Sequence, residues 1–399
     1  MSAKRLPTSS KQPNTSYPYS QLPVQPVTRT ERAALGPQLD CSMLLLFWSI
    51  WFATALVASA VLTRRMIAWA GACGMIDTPN ARSSHAHPTP RGGGLAIVIV
   101  VILAATLAVV LHPESLWPVV GVAVGALLVA AVSWMDDIRS LKNSIRLTVH
   151  SIAAIGATAL LGPVTQVELG SLATIDLGLA AWPLTLLWIV GLTNAFNFMD
   201  GIDGIAGVTA VAAGLAIAAA AGFFHAAAIA GISAALAAAA LGFLTCNWPP
   251  AKIFMGDVGS AFCGFLLAVL PLAVPDQVPQ TLPIAVVALW PFIFDTAYTI
   301  VRRLRKRENI FESHRSHLYQ RLTIAGWSHR TVSILYGCLA ALSAGVAVVP
   351  LFYPAARATA DWAGLSVIVM GAGLLLGLVL VAERSQDKPV PSPSTASSL

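Results

Sequence analysis

Apolar runs long enough to cross a bilayer recur along most of this chain, and they leave it very few folds. No water in the hydrocarbon core can satisfy backbone N–H and C=O groups, so only helices and closed barrels span it. A helix needs about 20 apolar residues to cross a core of ~30 Å, roughly twice the length of a barrel strand. Eleven runs meet the helical length, near 43–63, 93–112, 117–135, 145–162, 182–199, 203–222, 226–246, 258–275, 281–301, 331–353 and 363–382. Of the 399 residues, 56% are hydrophobic and 11% charged, against roughly 45–50% and 25% in soluble domains. The expected fold is therefore an all-α polytopic membrane protein of about 11 transmembrane helices. A bundle of this size needs no second domain, so residues 43–382 are read as one transmembrane domain.

The ends are different material. Residues 1–42 are rich in Pro, Ser, Thr and Gln without apolar periodicity, and the tail from Glu383 carries PVPSPSTASS. Such composition predicts disorder. The leader lacks a charged start feeding directly into an apolar core, so it does not read as a signal peptide. Met43, just before LLLFWSIWF, is an alternative start. The five cysteines, at 41, 73, 246, 263 and 338, have no paired spacing. They read as small hydrophobes, with no zinc site or disulfide frame implied.

Basic residues fix an orientation. Loops after the first, third, seventh and ninth runs hold Arg64, Arg65, Arg82 and Arg91; Arg139, Lys142 and Arg146; Lys252; and RRLRKR at 302–307 with Arg315, Arg321 and Arg330. The opposite loops hold only Arg357. The positive-inside rule makes the first set cytoplasmic, the amino end external and the carboxyl end cytoplasmic, although five basic residues in the leader oppose this. The polar clusters at 77–94, 136–146, 194–204, 247–260 and 302–321 then share the cytoplasmic face. HPESLWP and PDQVPQ fall on the other.

In SWMDDIRSL, Asp136 and Asp137 end the third run. A helix C-terminus disfavours negative charge, so a metal or an Arg/Lys should compensate. NAFNFMDGIDG adds Asn197, Asp200 and Asp203, spaced to share a face if the helix persists, with Gly201 and Gly204 making a break there. An Asp-Gly turn is the plain alternative, but buried amides and carboxylates need partners that a turn does not supply. NWPPAKIFMGDVGSAFCGF places Asp257 between glycines at a helix start, where backbone N–H groups suit phosphate oxygens. Asp and Asn oxygens suit Mg²⁺, with substrate phosphates completing its shell. DTPNARSSHAHPTPRGGG and the segment with His314, Arg315, His317 and Arg321 supply donors for a phosphate clamp. Together the parts describe phosphoryl transfer at a membrane surface to or from a lipid.

These motifs, in this order from about Leu44 to Ala382, resemble the polyprenyl-phosphate N-acetylhexosamine-1-phosphate transferases, a group that includes the WecA, WbpL and MraY enzymes. The resemblance implies a ten- or eleven-span bundle with a cytoplasmic cleft. It implies transfer of a sugar 1-phosphate from a UDP-N-acetylhexosamine to undecaprenyl phosphate, releasing UMP, with Mg²⁺ as cofactor and Mn²⁺ as a substitute. Asp257 and Asn197 would hold the metal. Asp136, beside Asp137, would orient the lipid phosphate as base, and Asp200 would line the same cleft as part of the catalytic set. Phe254 would stack near uracil, with Asn247 and Asp203 at the nucleotide. Asn194, Arg82, His85, His314, Arg315 and His317 complete the implied substrate-binding set.

Two departures bear on the branch. The first loop reads Arg82-Ser83-Ser84-His85 where the family often has Lys two before the His, and the last reads HRSHLYQR without consecutive histidines. Both resemble the WbpL branch, which starts O-antigen or related surface polysaccharides on modified donors such as UDP-N-acetylfucosamine or UDP-N-acetylquinovosamine; for this chain UDP-N-acetylglucosamine is a third expected donor. The alternative within the family is an enzyme of peptidoglycan-precursor synthesis. From other classes, a transporter would place ionisable groups at mid-membrane, and a scaffold would not explain acids at three helix ends. The expected location is the bacterial inner membrane. No nucleic acid partner is expected, and AAGLAIAAAAG at 212–222 permits close packing within one subunit or across a homodimer.

Overall fold

The computed structural model describes residues 41–79, 87–171, 173–275, 280–309 and 314–386. The leader to residue 40 and the tail beyond 386 lie outside the described residues, as do Arg82 and His85. The helices are α1 (Cys41–Ala72), α2 (Leu95–Leu111), α3 (Leu116–Arg139), α4 (Asn143–Leu161), α5 (Ala181–Phe198) and α6 (Ile205–Phe223). They continue as α7 (Ala227–Asn247), α8 (Asp257–Val269), α9 (Thr281–Arg305), α10 (Leu318–Ile324), α11 (His329–Phe352) and α12 (Arg357–Gln386). Among the described residues, nine helical segments are long and apolar enough to cross a membrane, while α2 and α8 are shorter apolar helices. Each expected run is thus a helix, and the chain is an all-α multi-pass membrane protein.

Three details depart from the sequence reading. Arg64 and Arg65 lie inside α1, not in a loop. The connection between α4 and α5 carries an antiparallel hairpin of β1 (Gln166–Leu169) and β2 (Ala173–Asp176). Glu168 pairs with Arg357 at 2.6 Å, and Ser171 N–H donates to Asp361 at 2.6 Å, so one ion pair and one backbone-to-carboxylate hydrogen bond pin the hairpin to the start of α12. Finally, α5 stops at Phe198, so Asp200 and Asp203 lie in a turn and not on the helix. Gly204, at φ +82°, supplies the left-handed conformation that opens α6.

Small residues set the helix spacing. α7 packs against α6 and α2, and α8 sits between α3 and α5. A Cβ on Gly242 of α7 would lie 2.3 Å from Leu56 O, and one on Gly264 of α8 would lie 2.7 Å from Phe196 Cβ. Backbones therefore meet directly, as small-residue stripes permit in lipid. Ser59 Oγ also donates to Ala239 O at 2.7 Å, joining α1 to α7.

An acid also lies well inside a span, away from either helix end. Asp295 of α9 is 0% exposed and accepts hydrogen bonds from Leu318 N (2.8 Å), Tyr319 N (3.1 Å) and Tyr336 Oη (2.7 Å). His317 Nδ1 lies 3.2 Å from the same carboxylate. It thereby caps α10 from outside, satisfying N–H groups that the first helical turn leaves open. Arg321 of α10 grips Glu383 of α12 with two hydrogen bonds, at 2.7 and 2.6 Å. The last polar loop is thus clamped to the bundle at two points. Replacing Asp295 with Ala leaves each of these donors unpaired, at roughly 1–3 kcal/mol apiece. Hydrogen exchange should accelerate at residues 318–324, and the melting temperature in detergent should fall.

Candidate active site

The end of α3 and the start of α8 meet through Asp137, which is 4% exposed. Its carboxylate accepts Asp257 N at 3.1 Å and Val258 N at 3.0 Å. Gly259 N and Ser260 N turn back to Gly256 O, both at 3.1 Å. The N–H groups expected to cradle phosphate are therefore already occupied, and Asp137 serves the fold as a cap. Gly256 is required here: it has φ +75°, and a Cβ would sit 2.7 Å from Asp137 Oδ2.

PRGGG and IFMGDVGS lie side by side. Phe254 N donates to Pro90 O at 2.8 Å, Gly93 N to Phe254 O at 2.9 Å, and Gly94 N to Met255 O at 2.8 Å. A Cβ on Gly94 would lie 2.3 Å from the Cα of Gly259, so no larger residue fits that contact. Arg91 reaches across this pairing to the backbone carbonyl of Asp137. The half-buried Phe254 is thereby fixed beside the carboxylates.

Four helices contribute to the next cluster. Arg146 Nη1, from the first turns of α4, lies 2.5 Å from Asp136 Oδ2 and 2.5 Å from Asp257 Oδ2. Asp136 Oδ1 also accepts Leu141 N at 2.5 Å. Asn197, at the end of α5, donates Nδ2 to Asp257 Oδ1 at 3.0 Å and to Ser260 Oγ at 2.9 Å. The charge compensation expected at the end of α3 is thus supplied by Arg146 and by the N-terminus of α8.

Asp200 completes the acidic group. Burial and the neighbouring carboxylates of Asp257, Asp137 and Asp203 push its pKa well above the ordinary carboxylate range. Asp203 faces another way: its Oδ2 accepts Ala251 N at 3.0 Å, and Oδ1 lies 3.4 Å from His329 Nδ1. Asn247 is engaged inside the fold at both ends of its amide. It accepts Gly204 N and donates to Ile253 O, both at 2.9 Å, locking the two motif loops together. Asn194 donates to Val190 O at 2.7 Å, within its own helix.

The last loop reaches the cluster through Tyr319. Its hydroxyl, whose pKa is raised well above the ordinary value by burial and by Asp295, donates to Phe198 O at 3.0 Å. A Cβ on Gly201 would lie 2.1 Å from the Tyr319 hydroxyl oxygen, which explains a glycine there. His317 is buried behind the site with Nδ1 toward Asp295, whereas His314 and Arg315 are half-buried. Burial, followed by His317 and Arg303, lowers the His314 pKa to about 4. At neutral pH His314 therefore offers a hydrogen bond and not the positive charge expected of a clamp.

Sequence reasoning passed over the roles of Arg146, Asp295 and Tyr319. Asp295 had a signal, being an acid within an apolar run. Arg146 was absorbed into the positive-inside count. His150, one turn beyond Arg146, is buried within the bundle at 3% exposed.

The donor chemistry suits a hard divalent cation. Asp136, Asp137, Asp200 and Asp257 face two guanidinium groups, Arg146 and Arg91. That balance favours added positive charge, and Asn197 Oδ1 accepts no hydrogen bond among the described residues. Among those residues no three His, Cys, Asp or Glu side chains converge as a ready ligand group. Asp136 and Asp257 converge on Arg146 instead. Asp257 and Asn197 are the residues that would hold a cation such as Mg²⁺.

Comparison with known proteins bears on the same segments. Residues 119–274, from α3 to just beyond α8, match the model of glycosyl transferase family 4. The chain is 33% identical to a probable undecaprenyl-phosphate N-acetylglucosaminyl 1-phosphate transferase of Bacillus subtilis, over 66% of this chain and 74% of the relative. It is 30% identical to a decaprenyl-phosphate N-acetylglucosaminephosphotransferase of Mycolicibacterium smegmatis, over 77% and 81%. It is also 30% identical to a phospho-N-acetylmuramoyl-pentapeptide-transferase of Heliobacterium modesticaldum, over 65% and 83%. Asp136 and Asp137 of α3, Asn197 of α5 and Asp257 of α8 all fall within the matched segment, and the chain belongs to glycosyl transferase family 4, the polyprenyl-phosphate N-acetylhexosamine-1-phosphate transferases that its motifs resemble.

Proposed function

We propose that the protein transfers an N-acetylhexosamine 1-phosphate from its UDP derivative to undecaprenyl phosphate, releasing UMP. The carrying observation is the convergence of Asp136, Arg146, Asn197 and Asp257, from four helices, at one end of an apolar bundle. A lipid acceptor explains why such chemistry sits at a membrane edge. The net reaction forms a bond from a lipid-phosphate oxygen to the sugar-bearing phosphorus. It breaks the bond from that phosphorus to the bridging oxygen, which leaves with UMP.

Bound Mg²⁺ would offset charge on the diphosphate. Asp257 and Asn197 would hold it, and Asp136 would orient the lipid phosphate. Arg146 and Arg315 are the guanidinium groups suited to phosphate oxygens. Phe254 presents a ring for the uracil. The names of two of the relatives specify N-acetylglucosamine, which supports UDP-N-acetylglucosamine as the first donor to try. The two loop departures keep the modified hexosamines, and with them O-antigen or related surface polysaccharide synthesis, within this proposal. The basic loops at the catalytic end support a cytoplasmic cleft in the inner membrane.

The test is purified protein with Mg²⁺, undecaprenyl phosphate and a panel of UDP-sugars that includes a peptide-bearing muramoyl donor. UMP release with a UDP-N-acetylhexosamine is expected; its absence with every donor overturns the transferase assignment. Turnover only with the peptide-bearing donor would transfer the chain to the peptidoglycan alternative. Asp136→Asn and Asp257→Asn should abolish turnover in protein that extracts and melts like wild type. Asp137→Ala, by contrast, should lower the melting temperature, because two N–H groups lose their acceptor at about 1–3 kcal/mol each. A cysteine placed at Ser316 should react with impermeant reagents from the cytoplasmic side alone.

A further inference from the structure

Arg146 is held by two carboxylates at once, through a single nitrogen 2.5 Å from Asp136 Oδ2 and 2.5 Å from Asp257 Oδ2. The side chain is 19% exposed, and the Asp136 side chain 11%. Water therefore screens this pair less than it would on an open surface. A guanidinium does not deprotonate in proteins, so its charge is permanent. It rests on Asp257 Oδ2, while Oδ1 takes the Asn197 amide, so both oxygens of the carboxylate are engaged before any cation arrives. Arg91, the other guanidinium beside the cluster, is occupied with the backbone of Asp137 and leaves this position to Arg146. Arg146 also has somewhere to turn: its Nη2 lies 3.4 Å from Asn143 Oδ1, one turn earlier on α4.

We propose that Arg146 is a built-in competitor for the divalent cation. A cation and the guanidinium compete for Asp257 Oδ2, because two like charges drawn to one carboxylate oxygen repel each other. Entry of the cation requires Arg146 to leave, and leaving is favourable when an anionic phosphate takes up the guanidinium. Cation and phosphate-bearing substrate then bind synergistically, each tightening the other by the same factor. The substrate-free enzyme holds its cation weakly, and Arg146 preserves the spacing of the two carboxylates in the interim. This inference rests on the metal assignment made under the proposed function.

The experiment is Mn²⁺ titration of the full-length protein in detergent, followed by electron paramagnetic resonance, with and without UDP-N-acetylglucosamine. Without nucleotide, Arg146→Met should bind Mn²⁺ about tenfold more tightly than wild type, a typical size for coupling between two sites. The nucleotide should tighten Mn²⁺ binding in wild type and do so less in the variant. Arg146→Lys keeps a charge but reaches one carboxylate at a time, and it should fall between them. It also provides the comparison if the methionine variant does not fold. Equal Mn²⁺ affinity in wild type and the folded variants overturns the competition while leaving the metal assignment intact. No Mn²⁺ binding by any form overturns both.

Discussion

The carboxylate of Asp137 joins two helix ends of opposite polarity. The C-terminus of α3 would repel it, and the N-terminus of α8 attracts it through two backbone N–H groups. Buried in protein, those donors have few alternative partners, so the junction is firmly specified. Everything in the acidic cluster is positioned from it. Asp136 projects beside the junction, Asp257 opens the helix that is capped, and Gly256 exists to let the carboxylate approach. The pairing of PRGGG with residues 254–255 then covers the same corner.

A second acid organises the other half of the site. Asp295 captures α10 by its first N–H groups, and α10 carries Tyr319 to the carbonyl of Phe198. The turn at 199–204 is therefore held from two directions, by Tyr319 on one side and by Asn247 on the other. A buried acid inside a span is expensive unless paired. Here it is paired with backbone and hydroxyl donors, and its effect is felt at a distance, in the placement of a polar loop.

The bundle was legible because apolar length is a strong signal: each of the eleven expected runs is a helix. So was the company of Asp136, Asn197 and Asp257, since three acidic or amide clusters shared one side of the topology. What sequence could not separate was one carboxylate's task from its neighbour's. Asp136 and Asp137 are adjacent and chemically identical, yet one is gripped by Arg146 and the other caps a helix more than a hundred residues away. That distinction is set by helix packing, which local pattern does not encode. Arg146 was hidden for a related reason, because a basic residue at a helix start already had an explanation in topology. The hairpin at 166–176 was missed because its strands are only four residues long.

The approach of Tyr319 to Gly201 has a consequence for exchanging parts between relatives. The segment shared with the family model, 119–274, contains Gly201, whereas Tyr319 lies outside it. Gly94 likewise lies outside, pressed against Gly259 within. A graft of the shared segment alone would separate both partners of two contacts that tolerate no extra atom. The transferable unit of this enzyme is a set of surfaces in contact, and its boundaries do not follow the chain.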